Sequence, residues 1–234
     1  MNIVLFNENE SHIDKNDPRA EHLKKVLHLG IGDSFKAGII NGQQGVATIV
    51  SDSDGYDFSF DFSSDGSKLY PLTMIIAQVR PICMKRILRE AVSLGVGRII
   101  LPVSELGEKS YLKSSLYTTD EYKDILLDGA MQAGFTGVSE CLIVKSVKEA
   151  VSLVEGAERL LLDNVIGADP LSSLDLAGKS VTLAIGPERG WTSSERDMFL
   201  SSGFRPCLLG SRILRTETAA VAGAAVALSK MLLL

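Results

Sequence analysis

Residues 209–220 read Leu-Gly-Ser-Arg-Ile-Leu-Arg-Thr-Glu-Thr-Ala-Ala, a glycine turn with two arginines and a Thr-Glu-Thr step that runs straight into an apolar helix. Upstream, Ala184-Ile185-Gly186-Pro187-Glu188-Arg189-Gly190-Trp191-Thr192 has the same layout of apolar strand, glycine-bearing turn and helix start. Gly186 and Gly190 lack a Cβ, so the backbone can turn sharply there and let a small molecule approach its N–H and C=O groups. Thr192 with Glu195 three residues on reads as a capping box, and Gly203 is placed to end that helix. A third loop, Asp163-Asn164, follows the apolar run Leu160-Leu161-Leu162. Ligands of an open α/β sheet bind beyond the carboxyl ends of its strands, so three such loops within about fifty residues predict one shared pocket.

The rest of the chain supports a sheet of that kind. From Leu72 the pattern alternates strand and helix. Apolar runs occupy Leu72–Val79, Ile99–Val103, Leu142–Val144, Leu160–Leu162, Val181–Ile185 and Pro206–Leu209. Met84, Ile87, Leu88, Ala91 and Leu94 recur at helical spacing, and further helices are expected near Thr119–Ala133, Val147–Glu155 and Ser193–Ser202. Such alternation implies a mostly parallel sheet covered on both faces. The first seventy residues have another rhythm. Short apolar runs at Ile3–Phe6, Ser34–Ile40, Gly45–Val50 and Tyr56–Phe62 are punctuated by Asn41-Gly42 and Asp54-Gly55, which predicts a small β-barrel or sandwich with one helix over Arg19–Leu27. The boundary falls at Tyr70-Pro71, giving units of 1–70 and 71–234. The last helix, Thr218–Leu233, is apolar nearly all round with Lys230 its only charge, so it needs cover on every side, from the core or from a second subunit.

Composition narrows the function. The chain has 234 residues, 45% of them apolar, enough for one large core or two modest ones. No run is long and apolar enough to span a bilayer, and the N-terminus lacks the pattern of a signal peptide, so a cytosolic protein is expected. Cys83, Cys141 and Cys207 have neither metal-ligand spacing nor even number, so no zinc site and no disulfide framework is expected. The net charge of −5 is concentrated early: residues 1–70 carry 6 Lys+Arg against 11 Asp+Glu, and the remainder 18 against 18. A basic groove is still available from Arg80, Lys85, Arg86 and Arg89, whose alternative role is a solvated helix face.

Ile-Gly-Pro-Glu-x-Gly followed about two dozen residues later by Leu-Gly-x-Arg-Ile-Leu-Arg-Thr-Glu-Thr resembles the RsmE family, ribosomal RNA uridine-N3 methyltransferases of the SPOUT class. Glu21-His22-Leu23-Lys24-Lys25-Val26-Leu27-His28-Leu29 with Gly32-Asp33 is similar to that family's N-terminal segment, so the resemblance covers nearly the whole chain. It implies a PUA-like RNA-binding β-barrel over 1–70, then a SPOUT α/β methyltransferase domain over 71–234 with a C-terminal trefoil knot. The implied cofactor is S-adenosyl-L-methionine, bound without a metal by Leu162, Asp163, Ile185, Gly186, Pro187, Glu188, Gly190, Leu209, Gly210, Ile213, Leu214 and Thr216. The implied partners are 16S ribosomal RNA or the small ribosomal subunit, and a second copy of the chain. Arg80, Lys85, Arg86, Arg89, Gln132 and Arg212 are the candidate RNA contacts. Four features depart from the family pattern: Arg189 replaces a glycine, His28 an arginine, Ser93 a glutamate, and Phe135-Thr136-Gly137 stands where an arginine is usual. An arginine at 189 would be strained if that position needs positive φ.

Methylation at uridine N3 requires loss of the N3 proton or stabilisation of the anion. All three histidines, His12, His22 and His28, lie in the first part. The candidate base is therefore a carboxylate, Glu217 or Glu188, with Arg215 placed to stabilise developing negative charge; Arg215 and Glu217 are the catalytic candidates. Structural roles compete with these. Glu188 could complement the positive end of the helix near Ser193, Thr216 and Glu217 could cap the last helix, and Arg215 could pair with Glu217. Two other functions stay open on the sequence: ribose 2′-O-methylation, and a non-catalytic RNA-binding or ribosome-assembly role.

Overall fold

The computed structural model describes residues 2–66, 68–154 and 158–234. The chain divides into two units, Met1–Lys68 with Leu127–Val138, and Leu69–Leu126 with Ser139–Leu234.

The first unit contains β1 (Val4–Phe6), β2 (His12–Ile13), α1 (Pro18–Lys25), β3 (Ser34–Ile39), β4 (Gln44–Ser51) and β5 (Tyr56–Ser64). They form a five-stranded sheet of order β1-β3-β4-β5-β2. β3, β4 and β5 are an antiparallel meander, as the turn signals predict, and β1 joins β3 in parallel. The strands alternate, so one face buries Phe35, Ala37, Ala47, Ile49 and Phe58 with Phe6 and Leu23. The Phe6 ring meets Phe58 and Phe60 edge-on at 5.1 and 5.0 Å, the arrangement favoured by aromatic quadrupoles. Asp17 caps α1 by accepting from the Arg19 N–H, and Pro18 occupies the first turn, where its missing donor costs nothing. The Arg19 guanidinium donates to the Leu5 carbonyl and to both Glu10 and Asp17. Segment 127–138 completes the unit through its backbone: Met131 O accepts from Asn2 and Ile3 N–H, and Thr136 O from Asn41 N–H.

The second unit contains β6 (Tyr70–Ile76), α2 (Pro81–Ser93), β7 (Val96–Pro102), a 3-10 turn over Lys109–Lys113, α3 (Ser115–Thr118), and the start of α4 (Glu121–Ala133). It continues with β8 (Glu140–Val144), α5 (Val147–Ser152), β9 (Glu158–Leu162), β10 (Asp169–Pro170) and β11 (Val181–Ile185). It ends with α6 (Ser193–Ser201), β12 (Arg205–Leu208) and α7 (Thr216–Lys230). Seven strands form one sheet of order β10-β12-β9-β11-β6-β7-β8, and every pairing in it is parallel. β11 is buried at all five positions, as expected for a central strand covered on both faces. Trp191, Phe199 and Phe204 pack with Leu161, Ala184 and Val147 in one core cluster. α7 lies against α2, β6 and β11. Its buried residues Ala220, Gly223, Ala224, Ala227 and Leu228 form one stripe, while Val221, Ala222, Ala225 and Val226 stay half-buried. The cover expected on every side is thus supplied within this unit on one face only. The expected helix Val147–Glu155 is observed to Ser152, and Glu155 lies outside the described residues. Two-residue strands and 3-10 turns carry no periodicity and were not expected from the sequence. Among the described residues no helix is long and apolar enough to cross a membrane.

Candidate functional site

β12, β9 and β11 are adjacent and parallel, with Cys207 opposite Leu162 and Leu162 opposite Ile185. Their carboxyl ends therefore finish in line, and the loops after Leu162, Ile185 and Leu208 start side by side. Between them lies a pocket of about 380 Å³. All twelve residues named above for the cofactor line it, together with Arg212, Arg189, Trp191 and Arg196.

Each loop is held by a specific bond. Asp163 is buried and its carboxylate is fully engaged: Oδ1 accepts from the Val165 and Ile166 N–H groups at 2.7 and 3.1 Å, and Oδ2 from Arg196 Nε at 2.8 Å. Its role is to shape the loop. Thr216, at the start of α7, donates its hydroxyl to the Gly186 carbonyl at 3.1 Å, joining the loop after β11 to the loop after β12. The capping box is present: Thr192 and Glu195 satisfy each other's backbone N–H groups at the start of α6. Arg189 does not occupy the left-handed region; Gly190 does, at φ +70°. The strain considered for an arginine in this loop is absent because the demanding position is one residue later. Gly210 has φ +146°, and a Cβ built on it would meet nothing within 4 Å. Trp191 is 2% exposed and packs edge-on against Phe199 at 4.9 Å, and among the described residues its indole N–H has no hydrogen-bond partner.

A second cavity of about 910 Å³ adjoins the first and shares Pro187, Glu188, Arg189, Ile213, Leu214 and Thr216 with it. Arg215 and Glu217 both line it, as do Arg80, Cys83, Glu105 and Tyr111. Glu217 lies in the first turn of α7, but among the described residues no side-chain bond caps that helix. Arg215 is itself the N-cap of α7 and makes no side-chain capping bond, while the Thr216 hydroxyl turns to Gly186. Among the described residues Arg215 and Glu217 form no ion pair with each other. Glu188 faces the start of α2, where Oε1 accepts from the Arg80 N–H at 3.4 Å, and the start of α6 is served by Glu195 and Glu105. Burial pushes the Cys83 thiol up, reinforced by the Glu217 carboxylate beside it. Hydrogen bonds from Thr192 and Ser194 hold Glu105 below the usual carboxylate range.

Of the proposed RNA contacts, the structure brings Arg80 to the larger cavity and Arg212 to the smaller. Lys85 is paired with Glu121, Arg86 is exposed on α2, and Arg89 is half-buried and engaged. These three line neither cavity. Gln132 belongs to the first unit, where its carbonyl accepts from Asn2 Nδ2. The sequence reading missed Trp191, Arg196 and the loop bearing Glu105 and Tyr111. Among the described residues no group of His, Cys, Asp or Glu is placed to hold a metal ion.

A parallel sheet with its glycine loops gathered at one pocket, and a charged cavity beside it, define a class that comparison with known proteins identifies. Residues 66–228 match the family model described as an RNA methyltransferase domain. The chain is 40% identical to "Ribosomal RNA small subunit methyltransferase E" of Treponema pallidum, over 98% of this chain and 91% of the relative. It is 34% identical to "Ribosomal RNA small subunit methyltransferase E 1" of Borreliella burgdorferi, over 99% of each. The chain belongs to the ribosomal RNA small subunit methyltransferase E family. A crystal structure of that enzyme from Neisseria gonorrhoeae, bound to S-adenosyl methionine, has the same fold, with TM-score 0.81 at 22% identity over 98% of this chain and 97% of that one.

Proposed function

We propose that the chain transfers the methyl group of S-adenosylmethionine to N3 of a uridine in 16S ribosomal RNA. The observation that carries this reading is the alignment of three strand ends, which gathers the twelve named residues around one pocket beside a cavity lined by Arg215 and Glu217. The residues fit the cofactor. The pocket joins backbone-rich glycine loops to apolar walls at Leu162, Ile185 and Leu209, and Gly210 leaves open space where a side chain would otherwise stand. When bound, the cofactor supplies an electrophilic methyl group. Holding the uracil in line with it supplies much of the catalysis. Glu217 accepts the N3 proton, and the Arg215 guanidinium stabilises charge developing on the base. No metal is required.

The finer assignments follow the same reading. The five-stranded unit is the PUA-like RNA-binding barrel, and the segment through β12 and α7 is the SPOUT trefoil knot. The half-buried stripe Val221, Ala222, Ala225 and Val226 on α7 is the contact of a homodimer, and the protein works in the cytoplasm on the small ribosomal subunit. Mass spectrometry of 16S ribosomal RNA from cells lacking this gene, before and after incubation with the purified protein and S-adenosylmethionine, tests the reading. One base-methylated uridine should appear. A ribose-methylated nucleotide, or no product, would overturn it.

A further inference from the structure

The larger cavity has an aromatic wall that the chemistry above does not use. Tyr111 sits in the 3-10 turn Lys109–Lys113 and is the one aromatic among the described residues that line the cavity. The same cavity is lined by the exposed residues Arg80, Arg189 and Arg215. The backbone presenting this ring is fastened to α6 at one end and closed by local bonds at the other. Glu105 N–H donates to Glu195 Oε1 at 2.8 Å, and Thr192 and Ser194 hydroxyls donate to the Glu105 carboxylate at 2.7 and 2.9 Å. Glu108 then caps the turn by accepting from the Ser110 N–H. The Tyr111 carbonyl takes both the N–H and the hydroxyl of Ser114. The ring is thus carried by a strap pinned to the start of α6, which directly follows the cofactor loop 186–190.

We infer that Tyr111 is the platform on which the target base stacks. The inference rests on the methyl-transfer reading, and it follows from the position of the atom that reacts. N3 lies on the pairing edge of uracil, so a base presented for methylation is unpaired, and drawing it into a cavity takes it from its stacking neighbours. Single-stranded bases are recognised by stacking on aromatic side chains while arginines take the phosphates. A cavity with one aromatic ring, three arginines and the apolar rim of Leu106, Ile213 and Leu214 offers both kinds of contact. With a face of the base covered by Tyr111, its pairing edge is free to turn toward the wall shared with the cofactor pocket. Glu105 acts as the positioning residue for this strap.

The test uses small ribosomal subunits purified from cells lacking this gene, labelled S-adenosylmethionine, and the full chain carrying Tyr111→Ala or Tyr111→Phe. Stacking on one aromatic side chain is worth about ten- to a hundredfold. Tyr111→Ala should therefore lower kcat/KM for subunits by about that factor, mainly through KM, with cofactor Kd by calorimetry and Tm unchanged. Tyr111→Phe should restore activity to within about threefold. Wild-type kcat/KM in Tyr111→Ala would overturn the platform while leaving the methyltransferase reading intact. Equal losses in the Ala and Phe variants, or a loss that tracks cofactor Kd, would also overturn it. A wild-type chain that binds no S-adenosylmethionine would remove the reading and the platform together.

Discussion

Replacing Thr216 with valine removes a hydroxyl that ties the loop after β12 to the loop after β11, while keeping nearly the same side-chain size. Thr216 is 5% exposed, so water does not replace the lost donor at the Gly186 carbonyl. Losing a hydrogen bond and leaving a buried acceptor without it costs about 1–2 kcal/mol. For a chain of this size that corresponds to a fall in Tm of about 2–8 °C. If the two loops instead come apart in the free variant, the cost of re-forming the pocket should appear in binding, as a Kd for S-adenosylmethionine weaker by up to about 5–30-fold. Calorimetry and thermal melting on one preparation measure both. Thr216→Ser keeps the hydroxyl and should retain most of the affinity. Unchanged Kd and Tm in the valine variant would refute the idea that this bond couples the loops.

Arg215→Ala and Glu217→Gln should each lower the single-turnover methylation rate by about 10²–10⁴-fold with little change in cofactor affinity; a normal rate in saturated, folded variants would remove both from the chemistry. Gly210→Val places a branched side chain at φ +146° on the pocket rim and should abolish measurable cofactor binding in calorimetry with EDTA present. Val221→Asp with Val226→Asp puts charges on the half-buried face of α7 and should shift light scattering from dimer to monomer or unfold the chain, whereas a wild-type monomer at micromolar concentration would contradict the dimer. Arg19→Met removes the partner of two partly buried carboxylates and should cost about 2–4 kcal/mol in urea unfolding at neutral pH. Arg19 holds Glu10 low through its hydrogen bonds, and at Asp17 the same bonds outweigh the upward push of burial. Their stabilisation is therefore complete above the ordinary carboxylate pKa and is lost as pH falls through the lowered values, so the wild-type advantage should shrink in acid.

The strand-end loops that line the smaller pocket are legible because their signals are local. After β11 an apolar strand, a glycine and a capping residue follow one another within about ten residues, after β12 a strand and a glycine do, and the parallel sheet places both beside the loop after β9. Asp163 shows where local reading stops. Its position at a strand end was correct, but its partner Arg196 lies 33 residues away, and nothing at 163 reveals that the carboxylate is spent on Val165, Ile166 and Arg196. Glu188 is similar, since its neighbour at the start of α2 is 108 residues distant. The strap bearing Tyr111 has no periodic pattern, and its fastening to Thr192 and Ser194 spans nearly ninety positions. Charge alone groups Arg80, Lys85, Arg86 and Arg89 into one groove; in the fold Arg80, just before α2, lines the cavity and Lys85 on α2 pairs with Glu121.

The return of segment 127–138 to the first unit bears on how the chain is made. Residues 1–68 leave the ribosome without the backbone groups of Met131 and Thr136, to which Asn2, Ile3 and Asn41 donate. Those acceptors become available to the first unit only after a further seventy residues, about 4–14 s of synthesis at ordinary rates. By then β6, α2 and β7 have already been synthesised. A fragment cut at residue 70 would lack the acceptors that Met131 and Thr136 supply to Asn2, Ile3 and Asn41, so the first unit is completed only by chain made after the second has begun.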